Sequence, residues 1–322
     1  MKRLFFGAMV LAALYAGYWV VGSRTVEGQA VSGLEALQND GWAVAYSDVR
    51  TRGFPSRFDT TVTDLDLTAP DGSRYQAPFV QALALSYRPN EVIAAFPNEQ
   101  TLTIAGTEIA LRSDRLRASG SVGVSTDLPF REATLEGEAV AATLAGTETT
   151  VLIDSLLAAV RRADGDDPAY DAFADLRDIA LPAPAGTLPG PVDRIMLDAQ
   201  VLFDRELDRE NMAEPVPPLV TDITVNDALV VWDTMQIRAT GALFVDVSGY
   251  LEGEIELRLR AWEQMLQLAA DSGLIAPGVL QTYQSMASGL AQGGDELVLP
   301  LTLSDGAVRM GFVPLGPAPR LR

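Results

Sequence analysis

Two side chains that carry much of enzyme chemistry are missing from this sequence. Its 322 residues include no cysteine and no histidine, and Lys2 is the only lysine. Without cysteine and histidine there is no thiolate nucleophile, disulfide, imidazole base, zinc site or haem ligation of the usual kinds. A Schiff-base lysine and a phosphate-loop lysine are excluded as well. We therefore predict a protein that is not an enzyme, with no catalytic, cofactor-binding or metal-binding residues.

Positive charge is also scarce. The chain has 24 Lys and Arg against 43 Asp and Glu, a formal net charge of −19. Such an acidic surface repels phosphate backbones, so we expect no nucleic-acid partner. Hydrophobic residues make up 48% of the chain, which is ample for a sizeable core and argues against disorder. The length suits one large domain or two ordinary ones.

Motifs of common active sites are missing too, including the Gly-x-Ser-x-Gly elbow and Gly-rich phosphate cradles. The acidic loop Asp164 to Asp167 lacks the later ligands of a calcium loop and is interpreted as a solvated turn. Glu136 and Glu138 fall on one face of a strand, typical of solvent exposure rather than of an acid–base pair. Arg117 and Arg238 are interpreted as outward residues paired with nearby carboxylates, with an anion site as the alternative.

The clearest positive signal is an uncharged apolar run near the N-terminus, from Leu4 to Gly22. At about 1.5 Å per residue it would extend roughly 28 Å as a helix, close to the ~30 Å of a hydrocarbon core. Tyr18 and Trp19 lie where an interfacial aromatic belt is expected. The predicted membrane-anchor residues are Lys2, Arg3, Leu4, Tyr18, Trp19 and Arg24.

A cleaved signal peptide is the alternative interpretation of this run. Val20 and Gly22 are small enough to precede a cut, but the bulky Tyr18 and Trp19 make a poor cleavage region. We therefore expect an uncleaved, single-pass anchor. The positive-inside rule keeps the first residues cytoplasmic and sends everything after Arg24 to the far side of the membrane. In a bacterium the membrane would be the inner membrane and the far side the periplasm.

Alternating apolar residues predict mainly antiparallel β structure after the anchor. Predicted strands include residues 42–46, 58–68, 79–87, 195–203, 235–247 and 250–259, with a closing hairpin at 297–303 and 307–313. Residues 26–39 have the spacing of a short amphipathic helix leading out of the membrane. Residues 149–160 fit a strand, or a helix from Asp154 to Arg162. Arg88-Pro89-Asn90 is interpreted as the end of the strand at 79–87.

One stretch occurs twice. Residues 102–124 align without a gap to residues 223–245, so that Arg-Ala-Ser-Gly at 117–120 matches Arg-Ala-Thr-Gly at 238–241. Leu-Glu-Gly-Glu follows each copy, at 135–138 and at 251–254. The repeat predicts two tandem β units, antiparallel meanders that form an extended curved sheet or groove.

The predicted domains follow from the repeat. They are a membrane anchor at 1–24, a first β repeat unit at 25–181, a Pro-rich linker at 182–191 and a second β repeat unit at 192–322. A C-terminal helix pair within 262–290 should cover one sheet face. Its apolar stripes, interpreted as core packing, are Trp262, Met265, Leu266 and Ala269, then Val279, Tyr283, Met286 and Leu290.

Several short motifs resemble an uncharacterised family of bacterial envelope proteins, domain-of-unknown-function family 2125. They are the N-terminal apolar segment, Arg-Gly-Phe-Pro-Ser-Arg-Phe at 52–58, the strands around Gly120 and Gly241, Leu-Ser-Asp-Gly at 303–306, Gly311, and Pro-Leu-Gly-Pro-Ala-Pro at 314–319. The Gly-centred strands are similar, more loosely, to AsmA-like envelope proteins, a likeness that implies a β groove for lipid.

The anchor, the one-sided strands and the acidic exterior together predict a non-enzymatic periplasmic protein. Its expected ligand is lipid or another hydrophobic molecule bound on an apolar β surface. The alternative is an envelope scaffold that binds a protein partner through the same surface. A third hypothesis, a hydrolase that uses carboxylates, requires a cleft that holds two or more acids with raised pKa values.

Overall fold

The computed structural model describes residues 2–147, 149–182, 189–291 and 294–321. These residues form mainly antiparallel strands with an apolar helix at the N-terminus and a helix pair near the C-terminus, which confirms the predicted fold class. The helices are α1 (Lys2–Asn39), α2 (Arg209–Met212), α3 (Trp262–Asp271) and α4 (Pro277–Ala291).

The strands of the first half are β1 (Ala43–Ala45), β2 (Asp48–Arg52), β3 (Arg57–Thr68), β4 (Arg74–Leu85), β5 (Arg88–Ala95), β6 (Glu99–Ile104), β7 (Thr107–Arg112), β8 (Arg115–Val122) and β9 (Phe130–Leu144). Those of the second half are β10 (Thr150–Arg162), β11 (Ala169–Ala180), β12 (Val192–Phe203), β13 (Val220–Trp232), β14 (Met235–Val245), β15 (Leu251–Arg260), β16 (Glu296–Ser304), β17 (Ala307–Met310) and β18 (Val313–Pro317). Because β10 is a strand throughout, the helical alternative for this segment is wrong.

The chain divides into two compact units, at positions that differ from the predicted domains. The first unit holds residues 1–124 and 133–150, and the second holds 125–132 and 151–322. The Pro-rich segment at 182–191 does not separate them, because β11 and β12 on either side of it pair from Ile179↔Val192 to Ala169↔Leu202. It therefore connects two neighbouring strands of one unit; its residues 183–188 lie outside the described residues.

In the first unit, β3 and β4 form a long antiparallel pair from Arg57↔Leu85 to Thr68↔Arg74. Helix α1 runs past this pair and contacts β1, β2 and β3. It is one continuous helix of 38 residues, so the predicted short amphipathic helix is its second half. Val31, Leu34 and Leu37 are half-buried there, as their helical spacing predicts.

In the second unit, β10 to β18 follow one another as an antiparallel meander, each strand paired with the next. Two small clusters of buried hydrophobic residues lie in its C-terminal part. One contains Leu251, Leu303 and Ala318, and it is completed by backbone hydrogen bonds from Ala318 to Gly306 and from Leu251 to Pro319. Packing and backbone hydrogen bonds therefore join the segments 303–306 and 314–319 at this end of the sheet.

The two copies of the sequence repeat differ in their strand pairing. The first copy turns at Ala105 and Gly106 between β6 and β7, whereas the matching residues 226–227 form a bulge inside the continuous strand β13. Positions 241 and 253 require glycine for the same steric reason. A Cβ on either residue would overlap a carbonyl oxygen of the neighbouring strand. Glycine at these two positions permits close strand pairing.

Candidate membrane junction and apolar cavity

From Phe5 onward, helix α1 has side chains that the rest of the described protein leaves uncovered. Every residue from Phe5 to Tyr15 is exposed, although the helix is strongly apolar, with a mean hydropathy of 1.7 in its candidate span. By length and composition this helix is able to cross a membrane. Among the predicted anchor residues, Lys2, Arg3 and Leu4 begin the helix, and Arg24 is exposed further along it.

Tyr18 and Trp19, predicted as interfacial residues, contact the sheet of the first unit. The Tyr18 hydroxyl donates to the Ser86 carbonyl oxygen at 2.6 Å, and Trp19 Nε1 donates to the Arg57 carbonyl oxygen at 2.8 Å. The Tyr15 hydroxyl lies 3.1 Å from Ser86 Oγ. Ser86 is fully buried, so these contacts fasten the helix to the turn between β4 and β5.

A buried aromatic ring completes this contact, which we call the junction (residues 15–23, 52–58 and 85–88). Phe58 is 3% exposed, and its ring centroid lies 6.2 Å from that of Trp19. Gly22 lets the helix approach, because a Cβ there would come within 2.7 Å of Phe58 Cζ. The sequence did not predict this packing. The available signals were a small residue, Gly22, at the end of the apolar run and the aromatic residues in the motif at 52–58.

A second apolar feature lies in the second unit, between α3 and the face of β13 and β14. It is a cavity of about 330 Å³. Its walls include Val230, Trp232, Met235, Ile237, Met265 and Leu268. Ser272 is the polar residue among its lining residues, and Trp232 Nε1 is already satisfied by the Gly190 carbonyl oxygen at 3.0 Å. The cavity therefore offers an apolar wall and little hydrogen bonding.

The cavity continues an apolar row that crosses five strands. The register places Ile195, Val230, Ile237, Leu259 and Leu297 opposite one another in turn. Burial changes along this row, because Ile195 is 38% and Ile237 37% exposed whereas Leu297 is 5% exposed. The helix pair covers the Leu297 end. Val230 and Ile237, in the middle of the row, line the cavity, and the Ile195 end is exposed.

Helix α4 departs from the prediction that its apolar stripe is core packing. It contacts the sheet through the small, buried Ala287, which packs with Trp262 and Leu297. The predicted core stripe faces outward instead, and its exposed members are Val279, Tyr283, Met286 and Leu290. The helix carries no charged residue. The prediction was wrong because helical spacing identifies an apolar face but not what covers it.

The repeated arginines are outward residues in ion pairs, as predicted. Arg117 Nε lies 2.6 Å from a Glu136 carboxylate oxygen, and Arg115 pairs with Glu138. Arg238 Nε lies 3.2 Å from Asp227 Oδ1. The acidic loop 164–167 is an exposed turn. Among the described residues, no group of three or more acidic side chains is placed to hold a metal ion.

Among the described carboxylates, those of Asp66 and Asp175 have shifted pKa values, both downward. Burial alone would raise the pKa of Asp175, but hydrogen bonds from Arg194 and Arg177 outweigh it and leave the pKa below its usual value. The hydrogen bond from Arg74 lowers the pKa of Asp66. A general acid needs the opposite shift, so both groups have the electrostatics of structural ion pairs.

These features define an antiparallel β protein with an N-terminal helix able to cross a membrane. The family model described as an uncharacterized protein conserved in bacteria (DUF2125) matches residues 19–319, so the chain belongs to this family. Comparisons with curated proteins and with solved structures found no match. The looser likeness to AsmA-like proteins is therefore not shown.

Proposed function

We propose that this chain is a non-enzymatic protein anchored in the bacterial inner membrane that binds an acyl chain, or another hydrophobic ligand, in the periplasm. The observation that carries the proposal is the apolar cavity of about 330 Å³ between α3 and the β13–β14 face. Its volume falls in the range of roughly 300–1,000 Å³ of small-molecule sites.

The lining favours a hydrocarbon chain over a polar metabolite. Burial of an unpaired polar or charged group is costly, and the walls at Val230, Ile237 and Leu268 offer no hydrogen bonds from their side chains. Methylenes gain about 0.8 kcal/mol each on burial, so eight would contribute roughly 6 kcal/mol before the entropy of binding. The open end of the apolar row, at Ile195, allows a longer ligand to extend beyond the cavity.

The proposed orientation rests on the charges that flank the apolar run. Lys2 and Arg3 precede it, and positive residues stay on the cytoplasmic side. A phosphatase that folds only outside the cytoplasm, fused after Arg322, should be active in intact bacteria. An inactive fusion, with a cytoplasmic reporter active at the same position, would reverse the orientation.

Ligand binding is tested with the full-length protein in phospholipid nanodiscs and a photoreactive palmitic acid. After illumination and proteolysis, the label should map to peptides that contain Ile237 or Leu268, and unlabelled palmitate should compete for it. Labelling confined to α1 and to exposed apolar residues, without competition, would reject the cavity as the binding site.

A second function, that of a scaffold, is favoured by the exposed stripe of α4. The side chains at Val279, Tyr283, Met286 and Leu290 present an uncharged apolar face, and such faces often mark protein contacts. Benzoylphenylalanine in place of Tyr283 should then crosslink one dominant envelope protein in cells. Crosslinks to lipid alone would count against the scaffold.

A further inference from the structure

We propose that the turns at 53–56 and 86–87, which carry Phe54 and Tyr87, insert into the lipid headgroup layer beside α1. These two turns would give the first unit a second contact with the membrane, in addition to α1. This inference rests on the proposed anchoring by α1. The occupant of this surface is a phospholipid bilayer, because the surface is continuous with the helix that enters it.

The first argument is length. Among the described residues, the first hydrogen bond between α1 and its own unit is at Tyr15, and residues 5–14 ahead of it are all exposed. Ten residues rise only about 15 Å as a helix, half of the roughly 30 Å hydrocarbon core. Bilayers adapt to mismatches of a few ångströms, not to a deficit of this size. The membrane must therefore extend along α1 as far as residues 15–22, which places its headgroup layer at the level of the turns that these residues contact.

The second argument is the position of two exposed rings. Arg57 pairs with Leu85, so the turn at 53–56 and the turn at 86–87 lie at the same end of the β3–β4 pair. Phe54 is 58% and Tyr87 is 65% exposed at this end. Aromatic side chains are enriched at the membrane interface, whereas in water these rings would form an uncovered apolar patch beside an apolar helix.

The third argument is that the polar groups by which the junction holds α1 are bonded within the protein. Ser86 donates its N–H to the Ser56 carbonyl oxygen, and its own carbonyl oxygen and hydroxyl are bonded to Tyr18 and Tyr15. The Arg57 carbonyl oxygen is bonded to Trp19. Such internal satisfaction is what a low-dielectric environment demands of backbone groups.

The local charge fits phospholipid headgroups. Arg52, Arg57 and Arg88 flank the two turns in a chain whose net charge is −19, and all three side chains are exposed. Arg57 and Arg88 have partners in Asp59 and Glu91, at 3.0 and 3.5 Å. Guanidinium groups at this depth can reach lipid phosphates while their stems stay among the acyl chains.

The test measures the depth of single labels. Because the chain has no cysteine, Phe54→Cys or Tyr87→Cys provides a unique site for an environment-sensitive fluorophore in the full-length protein. The protein is reconstituted into vesicles of phosphatidylcholine and phosphatidylglycerol, with bromines placed either near the headgroups or near the chain ends. Leu11→Cys reports on the anchor, and Asp71→Cys, at the opposite end of the β3–β4 pair, is the water-exposed control.

Labels at 54 and 87 should lose about half or more of their emission to shallow bromines and little to deep ones, as expected for interfacial groups. Quenching at Leu11, with labels at 54 and 87 as insensitive as the one at Asp71, would overturn this inference and leave the anchor intact. Absence of quenching at Leu11 would overturn both the insertion of the turns and the proposed anchoring by α1. If Phe54→Cys does not fold, Ser56→Cys places the label on an exposed side chain of the same turn.

Discussion

The two units expose apolar side chains in contrasting ways. At the junction of the first unit, the rings that α1 contributes carry polar atoms that are hydrogen bonded, as in Tyr18 and Trp19. The cavity of the second unit is lined mainly by aliphatic and thioether side chains such as Ile237 and Met265. Rings with a polar edge suit the membrane interface, whereas an aliphatic wall suits a hydrocarbon chain. One chain thus presents two apolar surfaces with different chemistry.

The units also differ in how closely each surface is packed. Phe58 is buried beneath α1, and a side chain at Gly22 would clash with it. The cavity remains open beside α3, and Leu274 on its rim is exposed. Truncation of a side chain in the tightly packed junction should therefore lower the stability of the protein. Substitution of a side chain that lines the open cavity should instead weaken ligand binding.

The largest expected effect is on the junction. Phe58→Ala removes the ring that packs against Trp19 and Gly22, and should lower the free energy of unfolding by about 3–5 kcal/mol. Urea unfolding of the full-length protein in a mild detergent measures it. Phe312→Ala is the matched control, because that ring is fully exposed, and should change stability by less than ~0.5 kcal/mol. Equal effects would refute the packed junction.

The next effect compares one ion-paired aspartate in each unit, the buried Asp175 and the half-buried Asp66. Asp175→Asn removes the partner of two arginines and should lower the free energy of unfolding by about 1–3 kcal/mol at neutral pH. Asp66→Asn removes the partner of one arginine in a more exposed pair and should lower it by about 1 kcal/mol or less.

Acid titration sharpens the same comparison. Both native pKa values are lowered, so the stabilisation is full above the ordinary carboxyl pKa of about 4 and is lost as pH falls through the native values. Urea unfolding between neutral and acid pH should therefore show a shallower decline for Asp175→Asn than for the native chain. An unchanged slope would contradict the lowered pKa of Asp175.

A smaller effect is expected at the cavity. Ile237→Arg places a guanidinium on its wall and should weaken palmitate binding in nanodiscs at least about tenfold, equivalent to ~1.4 kcal/mol. Val298→Arg is the matched control, because Val298 is also 37% exposed and its position, directly after Leu297, places it on the other face of β16. If both variants bind equally well, the cavity is not the site.

The smallest effect compares the two copies of the repeat. Arg117→Ala and Arg238→Ala each break an exposed ion pair, and each should change stability by less than about 1 kcal/mol. Thermal unfolding with added salt provides the control, since salt should reduce either difference. A large loss at one arginine only would mean that its position in the repeat has a role beyond the ion pair.

Strand alternation allowed much of the fold to be predicted. Residues 195–203 alternate cleanly and lie within β12, and residues 58–68, whose apolar positions change phase between Val62 and Leu65, still lie within β3. Other strands were missed, because local breakers do not prevent pairing with distant residues. Arg88-Pro89-Asn90 was predicted to end a strand, yet these residues begin β5, which pairs with the distant strand β8 from Glu91↔Ser121 to Ala95↔Arg117.

The candidate sites were only partly predictable, because each depends on what packs against a pattern. The apolar run at 4–22 predicted a membrane helix, but not that Tyr18 would bond to the buried Ser86. The spacing of Met265 and Ala269 predicted a helix face, but not the cavity that both line. The duplicated stretch predicted repeated units, whereas partner strands outside it gave each copy a different pairing.

The most direct test of the central claim is a photocrosslink from the cavity in living bacteria. Benzoylphenylalanine is placed at Ile237 of the full-length chain, with the same residue at Val298 as the control. We predict a lipid adduct at position 237, identified by mass spectrometry of the purified protein, and none at 298. A protein adduct at 237, or equal lipid capture at both positions, would contradict a hydrophobic ligand bound in this cavity.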